Sequence, residues 1–514
     1  MYGENGPYDK VHLANVCCTT YMAKKATLCE LTLPARGRTE PAYQWLYRTM
    51  RAEILSGRLG PGARLPATRD LARQYGLARG TIVNAFEQLE SEGYVEGSVG
   101  SGTYVSRVLP EKLLHVAESR AAKSGEYAER KLVISDYGRR ASLFAGYEHR
   151  PTRAFRANLP ALDLFPVALW TKIASRRLRR VSTRQLMGCD PLGYLPLREA
   201  VAEYLSRSRG MRCVAEQVAI VSGVQEALDL TARLLVNPGD RVCVENPGYP
   251  GAVLAFKAFR ARICAAKMDE EGVVIRHLPK RGVRLIYVTP GHQFPLGITM
   301  TLARRLQLLE WARKSGATIF EDDYDSEYRY SGRPIPALQG LDGSGEVIYA
   351  GSFSKVLFPS LRLGYMVAPS AMVHHLEAIL SLTVRHAPLV EQLVLADFIG
   401  EGHFGRHLRR MREIYAERLR VLVEEARSKL GGLLEISNVE AGLQTTAWLR
   451  GGMDAEAVAA AAAKRDVEVT PLERYSQGRM EKQGLQLGFA ALEPREIRRG
   501  VRELATVLEL ARTA

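Results

Sequence analysis

No run of about 18 apolar residues occurs in the 514-residue chain, so a transmembrane helix is excluded. The longest candidate, Ala455–Ala463 with Glu456 inside it, is alanine-rich and far too short. Cysteine is scarce: seven residues, at 17, 18, 29, 189, 213, 243 and 264. Their number is odd and no C-x-x-C pair occurs, which argues against a disulfide framework or a zinc site. A reducing cytoplasm fits that usage, and no metal is expected. The first 35 residues hold Glu4, Asp9 and Glu30 and lack a basic-then-apolar order, so they are not a secretory signal. Residues 1–39 are expected to form a disordered tail, with a natural start near Met22. There is no internal repeat, and no low-complexity block beyond the alanine run.

What is present reads as folded globular protein: 46% hydrophobic and 25% charged residues. At ~150 residues per domain, the length points to three or four units. Net charge is +15 and spread out: residues 1–156 hold 23 Lys and Arg against 16 Asp and Glu, the rest 48 against 40. That balance permits an acidic partner such as DNA, and fits a solvated basic surface equally well. Three textures follow one another. Residues 40–107 alternate short helical and β patterns, and 108–156 are polar and charged, a linker of roughly 45 residues. Weak pieces at Leu113–Ala122 and Leu132–Tyr137 allow one short helix there. Across 157–514 strands alternate with helices, the α/β pattern of a mostly parallel sheet.

In the first unit, Leu46, Met50, Ile54 and Leu55 fall at helical spacing over Ala42–Ser56, and Gly57, Gly60, Pro61 and Gly62 then break the chain. Thr68 is placed to cap a short helix ending at Tyr75, with Gly76 for a tight turn. A second helix is predicted over Arg79–Ser91, burying Ile82, Phe86 and Leu89 and presenting Arg79 and Asn84 on the other face. Tyr94–Glu96 and Thr103–Ser106 are two β runs joined by a glycine-rich turn. The order is a helix-turn-helix with a hairpin wing. Ile54–Leu59, Leu65–Ala72, Glu92-Gly93-Tyr94-Val95 and Gly100-Ser101-Gly102-Thr103 resemble a GntR-type winged helix. The resemblance implies that Arg69, Arg79 and Thr81 contact double-stranded operator DNA, with Gly102 bringing the wing backbone to a phosphate. Arginine at the N-terminal end of a groove-lying helix can take guanine bidentately. Ala78 stands where that family usually has a capping serine, which removes one phosphate contact.

In the large segment, five β runs end in residues with chemistry, as open α/β sheets place ligands at strand C-termini. Val218–Val221 leads into Ser222-Gly223-Val224-Gln225 and a helix, a turn that aims backbone N–H groups at an anion. Val242–Glu245 leads to Asn246-Pro247-Gly248-Tyr249, and Leu285–Val288 to Thr289 through Gly297. Ala317–Phe320 ends in Glu321-Asp322-Asp323-Tyr324-Asp325, which lacks calcium-site spacing. Val347–Ala350 runs into Gly351-Ser352-Phe353-Ser354-Lys355, with Arg362 seven residues on. Singly, each of these has a plain reading as a packed tyrosine, an acidic loop or a surface lysine.

In this order, together with Gly193-Tyr194-Leu195-Pro196-Leu197-Arg198, they resemble fold-type I pyridoxal-phosphate aminotransferases across about 157–510. The resemblance implies pyridoxal 5'-phosphate, with Lys355 as the Schiff-base lysine and Asp322 facing the pyridine nitrogen. It further implies Tyr324 at the 3′ oxygen, Tyr249 stacked on the ring, and Gly223, Val224, Gln225, Ser352, Ser354 and Arg362 around the phosphate. Lysine condenses with an aldehyde, a carboxylate keeps the ring nitrogen protonated, and arginine matches phosphate by paired hydrogen bonds.

A GntR-type winged helix joined to such a domain resembles the MocR-type regulators, and Gly291-His292-Gln293-Phe294-Pro295 favours that subgroup. The resemblance implies a cytoplasmic bacterial regulator that senses pyridoxal phosphate, an amine or an amino acid, as a head-to-tail homodimer without a membrane. A working aminotransferase carrying a DNA-binding domain is the alternative, and a large domain that only dimerises is a third; intact Lys355, Asp322 and Tyr324 speak against the third. Gln486-Leu487-Gly488-Phe489 stands where many fold-type I aminotransferases carry Arg-Leu-x-Phe to clamp a carboxylate, and Arg474 or Arg479 could substitute from a loop. Glutamine there implies weak transamination of common amino acids.

Overall fold

The computed structural model describes residues 33, 36, 40–98, 102–109, 132–144, 153–332, 335–437 and 439–513. The chain divides into two units, Met1–Leu132 and Val133–Ala514.

The first unit holds helices α1 (Ala42–Leu55), α2 (Thr68–Tyr75) and α3 (Arg79–Ser91) and the hairpin β1 (Val95–Ser98) with β2 (Gly102–Val105). Leu46, Met50, Ile54, Leu71, Ile82, Phe86 and Leu89 are all buried and form the core of this unit, whereas Leu55, at the end of the α1 spacing, is 42% exposed. Gly76 ends α2 in the left-handed conformation at φ 64°, which lets the chain turn tightly into α3. Two expectations need correction. Thr68 is the first residue of α2 and not its cap; Ala67 holds the cap position and gives no side-chain bond. Within 1–39, expected to be a disordered tail, Leu33 is buried in this core and its amide bonds to the Tyr75 hydroxyl. An apolar side chain that finds a hydrophobic groove gains more than it loses in chain freedom.

The second unit is built on an eight-stranded sheet in the order β3-β10-β9-β8-β7-β4-β5-β6. Its strands are β3 (Val218–Val221), β4 (Arg241–Asn246), β5 (Arg262–Asp269), β6 (Gly272–Val273), β7 (Val283–Val288), β8 (Thr318–Asp323), β9 (Val347–Ser352) and β10 (Gly364–Val367). β4, β5, β7, β8 and β9 are parallel, whereas β10 is antiparallel to both its neighbours and β6 is antiparallel to β5. Every residue of β3 is buried, the continuous apolar run expected of a strand covered on both faces. A second, antiparallel sheet has the order β11 (Leu434–Ile436), β12 (Gln444–Leu449), β14 (Gly484–Gly488), β13 (Thr470–Pro471). The strand pattern in the sequence does not separate this sheet from the first. No described helix is long and apolar enough to cross a membrane.

Part of the stretch 108–156, expected to be linker, is packed structure. Helix Asp136–Ala141 lies on helix Pro250–Ala258: Tyr137 stands edge-on to Phe259 at 5.3 Å, and Arg140 Nε donates to the Ala258 carbonyl at 3.0 Å. Asp136 also pairs with Arg260. The expected piece Leu113–Ala122 lies outside the described residues. Ala154 bridges to Val467, and Phe155 is fully buried, its carbonyl accepting from the Gly488 amide at 2.8 Å. These are short apolar insertions in a polar stretch, too brief to show a period. Phe155→Ala is therefore expected to cost the second unit ~3–5 kcal/mol, the usual range for a buried Phe. Urea unfolding measures it; a loss under ~1 kcal/mol would return 153–156 to the linker.

Candidate functional site

The parallel strands bring their C-terminal ends to one edge of the sheet, and a cavity of about 380 Å³ opens there. All ten residues that the sequence pointed to line it: Gly223, Val224, Gln225, Tyr249, Asp322, Tyr324, Ser352, Ser354, Lys355 and Arg362. Asn158, Tyr287, Phe294 and Pro359 complete the wall. Gly223 caps helix Val224–Leu235 at φ 123°, a conformation that side-chain-bearing residues rarely adopt, and a Cβ there would meet nothing within 4 Å. The open backbone at that helix start is a ready anion cradle. Arg362 sits in the left-handed region at φ 51°, a strained backbone of the kind kept at binding sites.

Lys355 Nζ donates to the Asn158 carbonyl at 2.7 Å. Burial pushes this ammonium down to about 8, against the opposing pull of Asp325 and Asp322. Asn158 is itself left-handed at φ 66°, and its amide donates to Gln444 Oε1 at 2.8 Å, which fixes the carbonyl that holds the lysine. Asp322 is 4% exposed; Oδ2 accepts from the Tyr287 hydroxyl at 2.6 Å, while Oδ1 has no partner. Burial raises its carboxyl to about 7, and the neighbouring acids Asp323, Glu245 and Asp325 add to the rise. A buried carboxyl with a bare oxygen needs a cationic partner. Tyr249 donates to Gln225 Oε1 at 3.2 Å. Tyr324 stands 3.1 Å from His292 Nδ1, which also meets Asp325 at 3.0 Å.

In the first unit, Arg69 and Arg79 are exposed, on α2 and at the start of α3, and Thr81 is half-buried two residues on. Ala78 caps α3 without a side-chain bond. Gly102 has φ 111°, and a Cβ there would lie 3.0 Å from Arg64 Nε. Arg64, bridged to Tyr104 on β2, is thus a wing cation that the sequence reading passed over.

Comparison with known proteins agrees with both halves. Residues 162–504 match the model for aminotransferase class I and II, and 42–105 that for bacterial regulatory proteins of the gntR family. The chain is 39% identical over 466 residues to the probable rhizopine catabolism regulatory protein MocR of Rhizobium meliloti, covering 90% of this chain and 93% of that one. The chain belongs to the MocR-type subgroup of the GntR regulators. A second relative, the HTH-type transcriptional regulator YdeL of Bacillus subtilis, is 34% identical, covering 90% and 96% of the two chains. Among solved structures, the kynurenine aminotransferase of Pyrococcus horikoshii, in complex with PMP, is similar at a TM-score of 0.65 and 28% identity, over 70% of this chain and 90% of that one.

The cofactor of this MocR-type chain is pyridoxal 5'-phosphate, and the cavity fits it. The bare Oδ1 of Asp322 suits a protonated ring nitrogen, Lys355 suits an aldehyde, and the Gly223 turn with Arg362 suits a phosphate. The sequence reading missed the supporting shell of Asn158, Tyr287, Gln444, Glu245 and Asp325. Gln293, read only as a family mark, donates to Glu245 Oε2 and to the carbonyls of Pro247 and Phe294, fastening β4 to the Phe294 loop. Neither proposed substitute for the missing arginine is placed for it. Arg474 is exposed and bound to Glu456, and Arg479 is exposed.

Proposed function

We propose that this regulator binds operator DNA through α3 and the β1–β2 wing, and that occupancy of the Lys355 cavity sets how it binds. In this reading Arg69, Arg79 and Thr81 read bases and phosphates, and Gly102 lets the wing approach the backbone beside Arg64. Lys355 holds the cofactor, Asp322 keeps the ring nitrogen protonated, and Tyr324 bonds the 3′ oxygen. Tyr249 stacks on the ring, while Gly223, Val224, Gln225, Ser352, Ser354 and Arg362 hold the phosphate. When bound, pyridoxal phosphate supplies an aldehyde carbon that a primary amine can occupy. Two chains pair head to tail, so that two winged helices meet two half-sites in the cytoplasm.

The observation that carries this reading is the bare, buried Oδ1 of Asp322 in one cavity with Lys355. Footprinting on the DNA upstream of its own gene, with and without pyridoxal phosphate and a panel of amines, tests it. A footprint that changes with the cofactor or one amine supports the reading; no DNA binding under any condition overturns it. The second reading, a working aminotransferase, is favoured by the same intact lysine and carboxylate. Sustained turnover between an amino acid and a keto acid would select it.

A further inference from the structure

The segment Gly291–Pro295 holds a histidine that has no part in the function proposed so far. His292, past the end of β7, is 3% exposed, and Asp325, just past β8, is 1% exposed. Both carboxylate oxygens of Asp325 stand against His292 Nδ1, at 3.0 and 3.1 Å. The same nitrogen lies 3.1 Å from the Tyr324 hydroxyl. Gly442, ahead of β12, closes over the pair at φ 91°. A Cβ there would lie 2.1 Å from His292 Cε1 and 2.7 Å from Asp325 Oδ2, so only glycine fits. The next amide, that of Leu443, donates to Asp325 Oδ2 at 3.3 Å. Stretches after β7, after β8 and before β12 thus meet to hold one imidazole beside one phenol.

The direction of each hydrogen follows from what the groups can do. A carboxylate oxygen only accepts, so a ring nitrogen facing two of them carries a hydrogen, whatever the state of Nε2. That nitrogen then has no lone pair for the Tyr324 hydroxyl, and the phenol oxygen accepts from it. Gln444 bonds the same phenol, and its Oε1 is taken by the Asn158 amide, so it too presents a donor. Burial, with Asp325, Asp322 and Glu245 adding to it, holds the phenol well above its usual range, so Tyr324 keeps its own hydrogen. With its oxygen occupied by two donors, that hydrogen is left for the cavity that Tyr324 lines.

We propose that His292 and Asp325 are positioning residues for the cofactor: Asp325 fixes the hydrogen on His292 Nδ1, and His292 thereby turns the Tyr324 hydroxyl toward the 3′ oxygen. The proposal rests on Lys355 holding pyridoxal phosphate with that oxygen at Tyr324. A hydrogen bond to the anionic 3′ oxygen weakens its hold on the proton at the Lys355 nitrogen, so the loaded chain releases this proton at lower pH. The other charged groups that bear on the site are Asp322, Glu245 and Lys355 itself, and Asp325 acts on Lys355 directly as well as through Tyr324. Its charge alone favours the protonated nitrogen, the opposite sign to its effect through the imidazole.

The full chain, loaded with pyridoxal phosphate, is titrated from pH 5.5 to 10 while its visible band is followed. His292→Phe should raise the pH of half-conversion by about 1–2 units, the effect of one hydrogen bond to a charged oxygen. Tyr324→Phe should raise it at least as far, and adding His292→Phe to Tyr324→Phe should change nothing more, because the two act through one bond. Asp325→Asn can hand a hydrogen to Nδ1 and so reverse the ring. It should move the midpoint up when Tyr324 is present and down in the Tyr324→Phe background, where only the lost charge acts. Cofactor counted after borohydride reduction at saturation shows that each variant is folded and loaded. No shift in His292→Phe, or a shift that persists in the Tyr324→Phe background, would overturn the proposal while leaving the cofactor site standing. A wild-type band that does not convert by pH 10 would do the same. A wild-type chain that takes up no pyridoxal phosphate would overturn the underlying reading too, and is recognised before any titration begins.

Discussion

Lys355→Ala protein is expected to lose the whole of the visible absorption that the wild type gains with pyridoxal phosphate. It should also yield no lysine adduct on borohydride treatment. The residue is alone in what it does: no other lysine lines the cavity, and alanine leaves no amine to condense. The Gly223 turn and Arg362 remain, so the variant should still bind the cofactor through its phosphate, more weakly and without colour. The pH dependence follows from the lowered ammonium. Burial brings it to about 8, so the neutral, reactive amine is about a tenth of the population at pH 7 and most of it above 8. The rate of cofactor capture by the wild type should therefore rise with pH and level off just above 8. An ordinary exposed lysine would keep rising toward about 10.4. Stopped-flow absorbance across pH 6.5–9.5 measures the curve. A mutant that keeps the band, or a rate still climbing steeply at pH 9.5, would remove Lys355 from the role.

The same residues show where a sequence can be read and where it cannot. α3 runs from Arg79 to Ser91, the bounds its apolar spacing predicts, because one buried stripe and a preceding turn glycine decide it locally. The ten cavity residues were legible through their resemblance, in this order, to the aminotransferases; most stand just past an apolar run, and parallel strands deliver such ends to one edge. The chain Gln444–Asn158–Lys355 was not legible. Its links span 286 and 197 residues, and each is made by one backbone group in an unusual conformation. β10 escaped notice as an antiparallel strand inserted between β3 and β9, since four apolar residues carry no sign of direction. Phe155 falls within the expected linker because a single aromatic in a charged stretch has no period to reveal it.

DNA binding by this regulator is expected to weaken by ~10³–10⁵ between 50 and 200 mM salt. The estimate comes from the cations of the first unit. Arg64, Arg69, Arg73, Arg79 and Arg107 are exposed. Three to five phosphate contacts for each winged helix make six to ten for a pair of heads, and each releases counterions in proportion. Among these residues, Arg79 and Arg64 should behave differently. Arg79 stands at the first position of α3, where a guanidinium can reach a base edge, so Arg79→Ala should lose ~1–3 kcal/mol of discrimination at one base pair of each half-site. Arg64 lies beside Gly102 on the wing, where only the sugar-phosphate backbone is within reach in the proposed docking. Arg64→Ala should weaken every sequence alike and reduce the salt slope by about one for each head. Fluorescence anisotropy with operator and scrambled duplexes at four salt concentrations separates the two effects. Equal losses on both duplexes for Arg79→Ala, or a salt slope unchanged by Arg64→Ala, would break the assignment of α3 to bases and the wing to phosphates.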